Sequence, residues 1–112
     1  MDPNKLRPDL AESKQRHEST MDETRPQAVK RRHKAGQRTI RENINDLLDP
    51  DKTIEYGGLS LAAQRRRRSM EELIEKSPAD GLVTQIGFVN ANLFPEDKSR
   101  CLVMGYDYTV LA

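Results

Sequence analysis

A chain of 112 residues, 35% apolar and 33% charged against the usual ~45–50% and ~25%, has room for one domain with a modest core. Its formal net charge of +1 excludes a global field that would gather nucleic acid or membrane. One cysteine, Cys101, excludes an internal disulfide framework and a cysteine zinc site.

No signal peptide is visible and no apolar run is long enough to span a bilayer, which points to a cytosolic setting. Residues 1–7 read as a disordered start. Pro8 to Met21 has helical composition but few apolar residues, so residues 1–23 are expected to form a mobile or weakly helical arm. Thr24-Arg-Pro-Gln27 has the pattern of a capping box and predicts a helix to Ala35, with Gly36 as its stop. Thr39-Ile-Arg-Glu42 is a second capping box. It opens a helix whose Ile40, Ile44, Leu47 and Leu48 make one apolar face, and Asp49-Pro50 ends it. Thr53-Ile-Glu-Tyr56 is a short strand candidate, stopped by Gly57-Gly58. Between Leu59 and Lys76 the helical spacing is interrupted, and Ser69-Met-Glu-Glu72 offers a later start.

The longest apolar runs come last. Leu82–Val89 and Cys101–Leu111 are rich in β-branched and aromatic residues and keep no strict alternation, the pattern of strands covered on both faces. Asn90–Ser99 carries turn residues and a proline, so the two runs predict a β-hairpin with a long loop. The fold class is α+β, with helices first and a hairpin after them. Cys101 falls in a strand and is expected to be a buried, inert thiol.

Charge is uneven along the chain. From Arg25 to Arg41 there are seven bases and no acid. Lys30, Arg31, Arg32 and Lys34 form the densest group, suited either to phosphates or to a solvated helix face. Arg65–Arg68 carries the same two readings, and four adjacent arginines cannot all face one way on a helix. No aromatic residue interleaves with these bases, which argues against a stacking platform for single strands. His17 and His33 stand alone, without a second ligand at metal spacing. Glu42, Asp46 and Asp49 are explained by capping and surface charge. Asp107, between two tyrosines in an apolar run, is expected to be hydrogen-bonded near a strand end.

Three blocks together resemble a known family. Gly36-Gln-Arg-Thr-Ile-Arg-Glu-Asn-Ile-Asn-Asp-Leu-Leu-Asp-Pro50 with Glu55, Asp80-Gly-Leu-Val-Thr-Gln-Ile-Gly87 and Asp107-Tyr-Thr-Val110 follow the order and spacing that open the biotin-dependent acyl-CoA carboxyltransferases. The likeness covers roughly residues 24–112, which are expected to be the N-terminal, truncated part of a carboxyltransferase domain. Gln85, Ala91 and a longer loop from Asn92 to Arg100 depart from the pattern in turns. The resemblance implies the opening of a crotonase-like ββα spiral. It implies carboxyl transfer from carboxybiotin to an acyl-CoA in a longer parent. Its partners would be the rest of the carboxyltransferase, a partner subunit, a biotin carboxyl carrier protein and a biotin carboxylase. The family's oxyanion turn follows the strand that ends at Asp-Tyr-Thr-Val, so this stretch is expected to be non-catalytic alone and to bind no cofactor itself. Lys30, Arg31, Arg32 and Lys34 are the candidates for CoA phosphates, and no catalytic or metal residue is assigned. The alternative is a small basic module for nucleic acid or protein interaction.

Overall fold

The computed structural model describes residues 5–110. Helices α1 (Pro8–Glu18) and α2 (Pro26–Lys34) are joined through a 3-10 turn, Asp22–Thr24. Then come α3 (Ile40–Leu47), β1 (Ile54–Tyr56), α4 (Met70–Lys76), β2 (Leu82–Phe88), the single turn α5 (Glu96–Ser99) and β3 (Arg100–Tyr106). The strands form one antiparallel sheet in the order β1-β2-β3. The expected α+β class is present, and the short Ile54–Tyr56 strand joins the hairpin as a third member.

The sheet has two unlike faces. Along β2, Val83, Gln85 and Gly87 are buried, and on β3 Cys101, Val103 and Gly105 are half-buried. This face packs under α3, where Ile44, Leu48 and Val83 make the core, with Ile40, Val89 and Val103 against them. The close approach needs two glycines. A Cβ on Gly87 would lie 2.9 Å from Leu48 Cδ1, and one on Gly105 would lie 2.7 Å from Ile40 Cγ1. The apolar runs predict cover on both faces, but here α3 supplies one cover and the other face is open. Ile54, Tyr56, Leu82, Leu102, Met104 and Tyr106 are exposed there, aligned by the register Ile54↔Ile86↔Leu102 and Tyr56↔Thr84↔Met104. Cys101 is only half-buried, because β3 is an edge strand.

Several local features explain the element ends. Thr39 Oγ1 accepts from the Glu42 N–H at 3.1 Å, and Glu42 Oε1 accepts from the Thr39 N–H at 3.0 Å, the predicted capping box. Ser69 likewise caps α4, accepting from the Glu72 N–H at 3.2 Å. Thr24 does not cap α2. Its hydroxyl donates to the Glu18 and Met21 carbonyls instead, and Arg25 becomes the N-cap with Pro26 as first helical residue. Helix α1 stops at Glu18, short of Met21, because the Ser19 and Thr20 hydroxyls bond back to the Arg16 and His17 carbonyls. Gly36, at φ 74°, ends α2 as predicted: its N–H donates to His33 and that of Gln37 to Arg32. Leu47 is not in the core. It is 48% exposed, whereas Ile44 and Leu48 are buried. Strand β3 ends at Tyr106, short of the predicted Leu111, because Asp107 Oδ1 accepts from both Thr109 N–H (2.9 Å) and Thr109 Oγ1 (2.5 Å) and folds the chain into a turn. Residues 111–112 lie outside the described residues.

Candidate anion-binding cleft

Two of the seven bases between Arg25 and Arg41 point inward. Arg41 sits one helical turn before Ile44 on the buried stripe of α3. Its guanidinium contacts Glu55 at 2.6 and 3.2 Å, and its Nε donates to the Thr20 carbonyl at 3.0 Å. Gln85 Nε2 donates to the same Glu55 carboxylate at 3.1 Å. The pair is buried on both sides, so only mutual charge and these added hydrogen bonds offset its desolvation. Arg25 is the second. Its guanidinium lies 3.6 Å from Asp107 and donates to Thr109 Oγ1 (2.6 Å) and the Thr109 carbonyl (2.8 Å). Burial pulls the Arg25 pKa below its ordinary value, and the charges of Asp107 and Asp22 oppose that pull. Asp107 is thus hydrogen-bonded near a strand end, as expected, and its arginine partner is an addition.

Of the two, Arg25 lines the floor of a cleft. Thr24 to Ala28 at the start of α2, Arg31, Arg68, Glu75, Lys76 and Thr109 line about 670 Å³. Arg31 comes from α2, Arg68 from the turn before α4, and Lys76 from the end of α4. Helix α2 begins with no side-chain cap and with Pro26, which has no N–H, and Gln27 and Ala28 of this uncapped first turn line the cleft.

The four adjacent basic candidates do not converge. Arg31 alone lines this cleft. Arg32 turns to Gln37, to the Arg38 carbonyl (3.0 Å) and over the Tyr108 ring (5.2 Å). Lys30 and Lys34 are exposed, one helical turn apart. From the second basic run, Arg68 reaches the cleft and is 3.6 Å from Glu72, while Arg65, Arg66 and Arg67 are exposed. Neither run forms a continuous basic stripe, and nothing here favours a nucleic-acid reading. His33 bonds Glu42 at 2.6 Å. The Thr39 amide, then His33, hold the Glu42 carboxyl down at about 2. Asp49 does more than carry surface charge: its carboxylate accepts from the Asn90 (3.0 Å) and Ala91 (2.8 Å) amides and ties the hairpin turn to α3. Among the described residues no group of His, Cys, Asp or Glu could hold a metal, and no helix is long and apolar enough to cross a membrane.

The spatial role of Lys76 was not visible from the sequence, since its distance from Arg31 along the chain carries no pattern. Arg41 did leave a signal. Arg41, Ile44 and Leu48 share one helical stripe, and Glu55 shares a strand face with Gln85 through the pairing of β1 and β2.

No family model and no curated protein matches the chain. Solved structures do. The structure described as a single-chain, multi-domain long-chain acyl-CoA carboxylase superposes with a TM-score of 0.89 at 53% identity, over 96% of this chain. The resemblance to the acyl-CoA carboxyltransferases holds. Two structures of the transcarboxylase 12S, one with methylmalonyl-CoA and methylmalonic acid bound and one with hydrolysed methylmalonyl-CoA, superpose with TM-scores of 0.57 and 0.58. Each is 28% identical over 91% of this chain. This carboxyltransferase-like chain spans 11% of the carboxylase and 18% of each transcarboxylase chain. The three-block resemblance therefore extends into three dimensions.

Proposed function

We propose that this chain is a scaffold portion of a biotin-dependent carboxyltransferase that moves a carboxyl group from carboxybiotin to the α-carbon of an acyl-CoA. The observation that supports the reading is the 53% identity at a TM-score of 0.89 to a long-chain acyl-CoA carboxylase. The chain alone is expected to be non-catalytic and to carry no resident cofactor. The acyl-CoA and carboxybiotin belong to the longer protein. So do the partners: the rest of the carboxyltransferase, a second subunit, a biotin carboxyl carrier protein and a biotin carboxylase, in a cytosolic setting. Lys30, Arg31, Arg32 and Lys34 stay proposed for CoA phosphates, with Arg31 best placed.

The test is carboxyl transfer by the protein whose reading frame contains these residues, with carboxybiotin as donor and acetyl-, propionyl- and long-chain acyl-CoA as acceptors. A carboxylated acyl-CoA is the expected product. No product from any acceptor overturns the reading. The 112-residue chain by itself is expected to give nothing above a heat-killed control, and turnover by it would refute the scaffold role.

A further inference from the structure

We propose that the cleft between the start of α2 and the end of α4 is a binding site for a phosphate ester, held by Arg31, Arg68 and Lys76. Three separate elements deliver these cations to one concavity. Gathering like charges costs energy unless something offsets it. Among the described residues Arg31 and Lys76 make no ion pair, and Arg68 has only the 3.6 Å contact with Glu72. Arg25, on the floor, is engaged by Asp107 and Thr109 and serves to position the start of α2.

The ligand class follows from the lining. Guanidinium groups match the oxygens of a phosphate in a planar fork, and an uncapped helix start adds amide donors of the same sense. At about 670 Å³ the cleft is larger than one phosphate and falls in the ~300–1,000 Å³ range of small-molecule sites. No aromatic side chain lines it, so recognition falls on the phosphate and not on stacking against an organic ring. Glu75 also lines the cleft, and its carboxylate competes for the same cations. That competition gives the site a signature that a diffuse positive surface lacks. The proposal does not rest on the carboxyltransferase reading, because the charge arrangement stands whatever reaction the longer protein performs.

The experiment is titration of the 112-residue chain with inorganic pyrophosphate and, separately, with coenzyme A, followed by calorimetry and by phosphorus NMR. Saturable binding is expected, weakened about tenfold or more by Arg31→Gln or by Lys76→Gln. Glu75→Gln should tighten it. The Lys52→Gln/Lys98→Gln pair, exposed and outside the cleft, should leave it unchanged. Circular dichroism of each variant separates lost binding from lost fold. Tighter binding of coenzyme A than of pyrophosphate, still dependent on Arg31, assigns a nucleotide-bearing ester; equal binding assigns the bare phosphate group. Absence of saturable binding to either probe overturns the site, as does equal weakening by the Lys52/Lys98 pair.

Discussion

Arg41 and Glu55 show how a charge becomes structural. Breaking a buried pair strands the remaining charge, so Arg41→Met alone and Glu55→Leu alone should each cost ~3–5 kcal/mol in urea unfolding. The double variant should lose far less than the sum, because nothing charged is left behind. Additive losses would mean the two side chains act independently. Glu42 sets a pH window. Its carboxyl is held at about 2 against an ordinary 4.5, first by the Thr39 amide and then by His33. A depressed carboxyl contributes stability that is fully present above pH 4.5 and disappears as pH falls to about 2. The melting-temperature gap between the wild type and Glu42→Gln should therefore close over that interval, and a gap that is constant with pH would contradict the cap. Ser99 is a quieter case: its buried hydroxyl has no partner among the described residues. An unpaired buried hydroxyl is a cost to the fold, so Ser99→Ala should be neutral or stabilising by thermal melting.

Among the elements, α3 is the one on which the packing depends. Ile44, at 1% exposure, should cost ~2–5 kcal/mol when cut to alanine. Leu47→Ala should cost under ~1 kcal/mol, since half the side chain is already in water. Equal losses in a denaturant series would place Leu47 in the core after all. The start of α3 was legible because a capping box is local: Thr39 and Glu42 are three residues apart and satisfy each other. The α3 face was legible except at Leu47, where hydropathy cannot tell a residue at the edge of a stripe from one at its centre. Thr24-Arg-Pro-Gln27 misled because the same pattern also fits a 3-10 turn closed by the threonine hydroxyl. The end of β3 was hidden in Asp107, whose grip on Thr109 interrupts an otherwise apolar run. The cleft was illegible for a different reason. Its cations come from stretches 31, 68 and 76, and only the folded chain sets them side by side.

At the scale of the whole molecule the chain is flat, about 49 × 47 × 24 Å, with a radius of gyration of 16.1 Å. A compact chain of this length would have a radius near ~13 Å. The flatness leaves the outer sheet face bare, with Leu102 57%, Met104 63% and Tyr106 72% exposed. Such a contiguous apolar surface should bind a hydrophobic dye such as ANS in the native state. Leu102→Lys with Met104→Lys should remove most of that fluorescence without lowering the melting temperature. Unchanged dye binding would locate the surface elsewhere.

The bonds between Arg25 and Thr109 join residues 84 positions apart. A ribosome adds ~5–20 residues each second, so Arg25 is made about 4–17 s before its partner exists. For that interval the arginine that anchors the start of α2 is an unpaired cation on a nascent chain, and the cleft has no floor. The start of α2 must therefore wait for the turn that follows β3, and the order of synthesis runs opposite to the order in which this corner of the molecule becomes rigid.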